Sequence, residues 1–141
     1  TNGHTGQFDA ALEEVLHIIT HAGYANAYPA VFGEGVGTSL SNAMDIARGG
    51  QFTSIPSNYP EEAWYHYDDA SCEYDCMTTE YIYWALTSIL GAQENRLSEI
   101  KQEWELNTRA LVEEKDIAVF NLLNNPEYSF PTVLPDGTYM R

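Results

Sequence analysis

His17 and His21 stand four residues apart in Glu13-Glu14-Val15-Leu16-His17-Ile18-Ile19-Thr20-His21. At about 3.6 residues per helical turn, that spacing puts the two imidazoles about 40° apart on one face, where both rings can grip one metal ion. Glu13 and Glu14 fall on the same face. Leu12, Val15 and Ile19 fall on the other side and are expected against the core. A solvated polar face has the same pattern, so the HxxxH spacing is a weak signal taken alone.

Glu80 adds to it as the only charged side chain between Asp75 and Glu94, in a stretch otherwise suited to burial. A carboxylate is seldom buried without a partner, and a metal is one such partner. Alternatively, Thr78 or Thr79 caps a helix and Glu80 sits in its first turn, favoured there by the helix dipole.

His17-Ile18-Ile19-Thr20-His21 followed by Glu80 resembles the zincin metallopeptidases, in particular those in which two histidines on one helix and a glutamate on a later helix hold zinc. The resemblance spans residues of roughly 8 to 92 and implies His17, His21 and Glu80 as ligands, water completing a tetrahedron, and a peptide substrate. In that family a glutamate directly after the first histidine polarises the water, and here that position is Ile18. Glu14, one turn before Ile18, shares much of its azimuth and is the carboxylate that helical geometry offers as a base instead. The strands that usually precede the first helix have no counterpart.

Other chemistry is less well supplied. Glu14-x-x-His17 matches one Glu-x-x-His unit of a carboxylate-bridged di-iron bundle, but that architecture needs two. His66, among tyrosines, reads as packing, or else as an additional ligand or transition-state donor. Asp68, Asp69, Glu73 and Asp75 make either a calcium loop or a plain solvated acidic loop, since the EF-hand spacing and its glycine are missing. Gly33, Gly35 and Gly37 lack the preceding strand and following lysine of a phosphate loop, and no nucleophile elbow is present.

The elements that must position these groups are helical. Phe8, Leu12, Val15, Leu16 and Ile19 recur at three- and four-residue steps, which predicts a helix from Phe8 to Tyr24, capped by Thr5 or Asp9 and ended by Gly23. A loop is expected from Ala25 to Gly37, a short helix from Ser39 to Arg48 closed by Gly49-Gly50, and a long aromatic-rich loop from Gln51 to Asp75. Thr79 to Ala92, apolar on nearly every side, predicts a buried central helix. A charged helix is expected from Gln93 to Glu114 and a short one from Ile117 to Leu123. Residues 1–6 read as an N-terminal segment, and 124–141 as an extended tail with a turn at Pro135-Asp136-Gly137. The class is mainly α, one compact helical domain over 1–141 with long loops around a zincin-like helical core.

Bulk composition bounds the rest. With 44% hydrophobic and 19% charged residues the chain is made to fold rather than to stay disordered. A net charge of -15 repels a phosphate backbone and disfavours anionic membranes, and no apolar run is long enough to span a bilayer. Cys72 and Cys76, the only cysteines, are expected to form a local disulfide in an oxidising compartment, with two free thiols as the alternative. No leader stands at Thr1-Asn2-Gly3, so the chain reads as a mature product or an excised domain.

Two functions follow as expectations. One is a secreted zincin-like zinc-binding domain, either a hydrolase with an altered base or a relative that keeps the metal without catalysis. The alternative is an extracellular structural or self-assembling protein, its ten tyrosines and three tryptophans supplying contacts between copies.

Overall fold

The computed structural model describes residues 10–134. Among them the chain is mainly helical, with no strand and one isolated antiparallel bridge, Tyr65 to Trp104. The buried side chains from Leu16 to Phe130 form a single apolar cluster.

Helix α1 (Ala10–Ile18) passes without a break into a π-helical turn (Ile19–Tyr24) and then α2 (Ala25–Ala27), since Ile18, Tyr24 and Ala25 all keep right-handed helical angles. Gly23 therefore does not end the helix, as its position suggested; mid-helix glycine costs only about 1 kcal/mol. Pro29 ends it, because a proline pushes the preceding residue out of the α region, and Tyr28 stands at φ -132° and ψ 66°. Pro29 then opens α3 (Pro29–Phe32), so the expected loop from Ala25 to Gly37 contains two short helical pieces. The expected segment 1–6, the caps Thr5 and Asp9, and Phe8 lie outside the described residues, as does the Pro135-Asp136-Gly137 turn.

The inward line of this first rod runs through Leu12, Leu16 and Thr20. Val15 and Ile19, expected against the core, are instead exposed beside Ile18. Helix α4 (Ser39–Ala47) starts at a reciprocal cap, the Ser41 amide donating to Thr38 Oγ1 at 3.1 Å and the Thr38 amide to Ser41 Oγ at 2.9 Å. It stops at Gly49, whose φ of 76° a side chain would strain and whose missing Cβ would lie 2.7 Å from Pro60 Cγ.

Helix α5 (Tyr74–Ile89) is the central helix, buried without interruption from Tyr81 to Ile89. It begins five residues before Thr79, the expected start. Thr78 and Thr79 are not caps: they lie inside the helix, with their hydroxyl oxygens 3.1 Å from the carbonyls of Tyr74 and Asp75. Glu80 thus sits beyond the first turn. Cys72 and Cys76 are joined in a disulfide with Cα atoms 5.9 Å apart, a short bridge made possible because Cys72 lies outside the helix and Cys76 inside its first turn.

The single charged helix expected from Gln93 to Glu114 is broken into α6 (Leu97–Ile100) and α7 (Arg109–Lys115). Tertiary contacts override local propensity here. Trp104 is fully buried, its indole donating to the Leu106 carbonyl at 2.9 Å and to Ser88 Oγ at 3.0 Å, and the Asn107 amide reaches back to the Glu94 carbonyl at 2.8 Å. Helix α8 (Ile117–Leu123) follows, capped by Asp116. Residues 124–134, the described part of the expected extended tail, pack on the first rod: Phe130 stacks on Tyr24 with centroids 3.9 Å apart, and Tyr24 donates its hydroxyl to the Tyr128 carbonyl.

The long loop between α4 and α5 is held by Arg48, which is fully buried. Its guanidinium donates to the Phe52 carbonyl at 2.6 Å and lies over the rings of Phe52 and Tyr59.

Candidate metal centre

Helix α1 packs on α5, and this contact builds the site. His17 is in the last turn of α1, its side chain only 17% exposed. Its Nε2 lies 3.1 Å from Oε1 of Glu80 on α5 and 3.7 Å from Oε1 of Glu13, one turn earlier on its own helix. One ligand atom from each of Glu13, His17 and Glu80 lies within 4.8 Å of the other two. The His17 ring rests against Tyr83, with centroids 5.5 Å apart.

The electrostatics follow from that crowding. The hydrogen bond to Glu80 raises the His17 pKa above the ordinary imidazole value, more than burial lowers it. Burial, and then the charge of Glu80, raises Glu13 above the usual carboxylate range. Both shifts favour the protonated forms of these two groups in the folded chain. His17 Nδ1 is buried without a partner. An ion on Nε2 would leave an unpaired Nδ1–H there, at a cost of about 1–3 kcal/mol against affinity.

His21, expected beside His17 as a ligand, does not join this group. It sits in the π-helical turn that follows α1, with its side chain 67% exposed and its Nδ1 2.8 Å from Oε2 of Glu34. It nevertheless lines the same cleft of about 350 Å³ as His17, Glu34 and Glu80.

A second cleft, of about 240 Å³, meets the first at Glu80 and is walled by Glu13, Asp68, Asp69, Trp84 and Glu103. Burial, assisted by the charges of Glu80, Asp68 and Glu13, pushes the Glu103 carboxyl up to about 7.

Among the residues singled out from sequence, then, the fold brings His17 and Glu80 together and holds His21 at the edge of their cleft. Glu14 is exposed and lines neither cleft. Asp68, Asp69, Glu73 and Asp75 do not converge on one point among the described residues. Asp69 accepts from the Ser71 amide and Asp75 from the Cys76 amide, as turn and helix-start carboxylates do. His66 donates Nε2–H to the Ala63 carbonyl at 3.0 Å and packs against Tyr59.

Glu13 is the member that sequence reasoning left out. Its signal was present, one turn before His17 on the same face. Glu34 carried no signal, being a lone acid in a glycine-rich stretch.

Comparison with protein families, with curated proteins and with solved structures returns no match for this chain. The functional reading therefore rests on the geometry.

Proposed function

We propose that this chain is a secreted metal-binding domain in which Glu13, His17 and Glu80 hold a zinc-like divalent ion. The observation that carries the reading is the convergence of one imidazole nitrogen and two carboxylate oxygens, from two packed helices, within 4.8 Å. Zinc and similar first-row ions take such a mixed nitrogen and oxygen set, whereas calcium prefers six or more oxygens. The Cys72–Cys76 disulfide supports an oxidising, extracytoplasmic setting. No helix among the described residues is long and apolar enough to cross a membrane. Ligands from one helix and a later one are the part of the zincin likeness that this arrangement favours. With Ile18 in place of the usual base, hydrolysis needs another proton acceptor.

Zinc titration by calorimetry of the purified, metal-stripped chain tests the reading. We expect about one ion per chain, at least tenfold weaker binding in Glu80→Gln and Glu13→Gln, and none measurable in His17→Ala. Wild-type affinity in His17→Ala would overturn it.

A second reading, self-assembly outside the cell, is favoured by one observation. Val15, Ile18 and Ile19 are 51%, 65% and 44% exposed on a single stretch of the first helix. Size-exclusion over a range of concentrations tests it; a chain that elutes as a monomer throughout removes it.

A further inference from the structure

We propose that His21 and Glu34 form a proton-transfer dyad for the hydrolysis of neutral or cationic esters and amides that carry an apolar group. The inference rests on the metal-centre reading only for polarisation of the substrate carbonyl.

A carboxylate only accepts hydrogen bonds, so at 2.8 Å from Glu34 Oε2 the proton of a neutral His21 ring stands on Nδ1. The lone pair is then on Nε2, the tautomer that a general base requires. The partner is itself held in place. Glu34 is only 15% exposed on its side chain, its Oε1 accepts the Thr79 hydroxyl at 2.7 Å, and its backbone carbonyl accepts the Thr78 hydroxyl at 3.2 Å.

Thr78 and Thr79 directly precede Glu80 on α5. One helix therefore fixes both the dyad and a metal ligand, across a cleft that His17, His21, Glu34 and Glu80 share. Gly33 allows the approach: a Cβ there would lie 2.3 Å from the Pro29 carbonyl oxygen, so any side chain would displace the turn that delivers Glu34. A carboxylate with each oxygen separately engaged, holding the ring of an exposed histidine, is more constrained than an ordinary surface ion pair.

The surroundings define the substrate. Ile18 belongs both to this cleft and to an adjoining shallow apolar surface formed with Ile19, Ala22, Tyr24 and Tyr28, against which an aliphatic or aromatic group next to the reacting carbonyl can rest. Asp75 and Glu80 also line the cleft, and with a net charge of -15 they disfavour anionic substrates.

In the step itself, His21 Nε2 takes a proton from a water molecule as the water oxygen bonds to the carbonyl carbon. Glu34 stabilises the resulting imidazolium. That proton then passes to the leaving oxygen or nitrogen as its bond to carbon breaks, giving an acid and an alcohol or amine. Water is the only co-reactant, and nothing is oxidised or reduced.

The test uses the full chain, with and without zinc, and p-nitrophenyl butyrate as substrate. Nitrogen NMR of the His21 ring should show the proton on Nδ1, and Glu34→Gln should shift it toward Nε2. We expect the rate to fall by about 10²-fold or more in His21→Ala, and by about tenfold in Glu34→Gln, with zinc affinity unchanged in both. Wild-type rates in His21→Ala overturn the dyad, as do an Nε2–H ring in the wild type and hydrolysis no faster than free imidazole at the same concentration. If hydrolysis depends on His21 but not on zinc, the dyad stands and the ion takes no part in the step, while the metal centre is judged by its own zinc titration. Tight zinc binding with no effect of His21→Ala removes the dyad and leaves the metal centre standing.

Discussion

His17 Nε2 meets Glu80 Oε1 at 3.1 Å, and this contact joins the first helix to the buried central one at a point where both sides carry ionisable groups. Stability there is tied to protonation. His17 has a folded pKa above its unfolded value, so its contribution is fully present below about pH 6.5 and is lost as pH rises through the folded value. Glu13, also raised, acts in the same direction from a lower starting pH. Metal-stripped protein should therefore melt at a lower temperature at pH 8 than at pH 6, and His17→Ala should reduce that difference. Zinc should reverse the trend, because it binds the deprotonated ring.

Glu103 should show the same sign with a different residue dependence. Its carboxyl, pushed up to about 7 by burial, favours the folded state while protonated and opposes it once ionised. Glu103→Gln is expected to raise the melting temperature at pH 8 and to change it little at pH 5. A loss of stability at pH 8 would show instead that the ionised carboxylate holds the second cleft together.

The core has its own polar anchor in Asp116. Its Oδ2 accepts the Tyr81 hydroxyl at 2.6 Å and the Trp64 indole at 2.9 Å, while Oδ1 caps α8 through the Val119 amide. Asp116→Ala leaves these donors buried without an acceptor and should cost about 3 kcal/mol or more in urea unfolding, with Asp116→Asn costing less.

Removing the disulfide should matter less than its place beside the site suggests. A bridge that closes only four residues constrains the unfolded chain by about 2 kcal/mol. Cys72→Ser with Cys76→Ser should lose roughly that much, and zinc affinity should persist, since burial from Tyr81 to Ile89 fixes Glu80 from the other side. A collapse of zinc binding would assign the bridge to the site itself.

What could be read from the sequence were the features that local chemistry decides. The helix from Ser39 closed by Gly49, the one from Ile117 to Leu123, and the buried run after Glu80 all follow from caps, glycines and apolar patterning. That His17 and Glu80 share a site was only what the zincin resemblance implied, since an isolated acid in an apolar stretch is also read as a first-turn carboxylate; the 3.1 Å contact comes from the packing of two helices. Other features depend on distant residues. Trp104 is drawn into the core against Ser88 and splits a helix that its own neighbours would continue. The start of α5 was hidden in an acidic stretch that reads as loop, and Glu34 gains meaning only when Thr79 comes within reach. Nothing in Ile19-Thr20-His21-Ala22-Gly23-Tyr24 announces a widened turn.

The rod keeps its helical course through the widened turn, and so sets His17 and His21 on one cleft before two different acids, Glu80 and Glu34. Two imidazoles borne by one rod thus answer to acids on separate elements, so replacing either acid addresses one ring and leaves the other where it is.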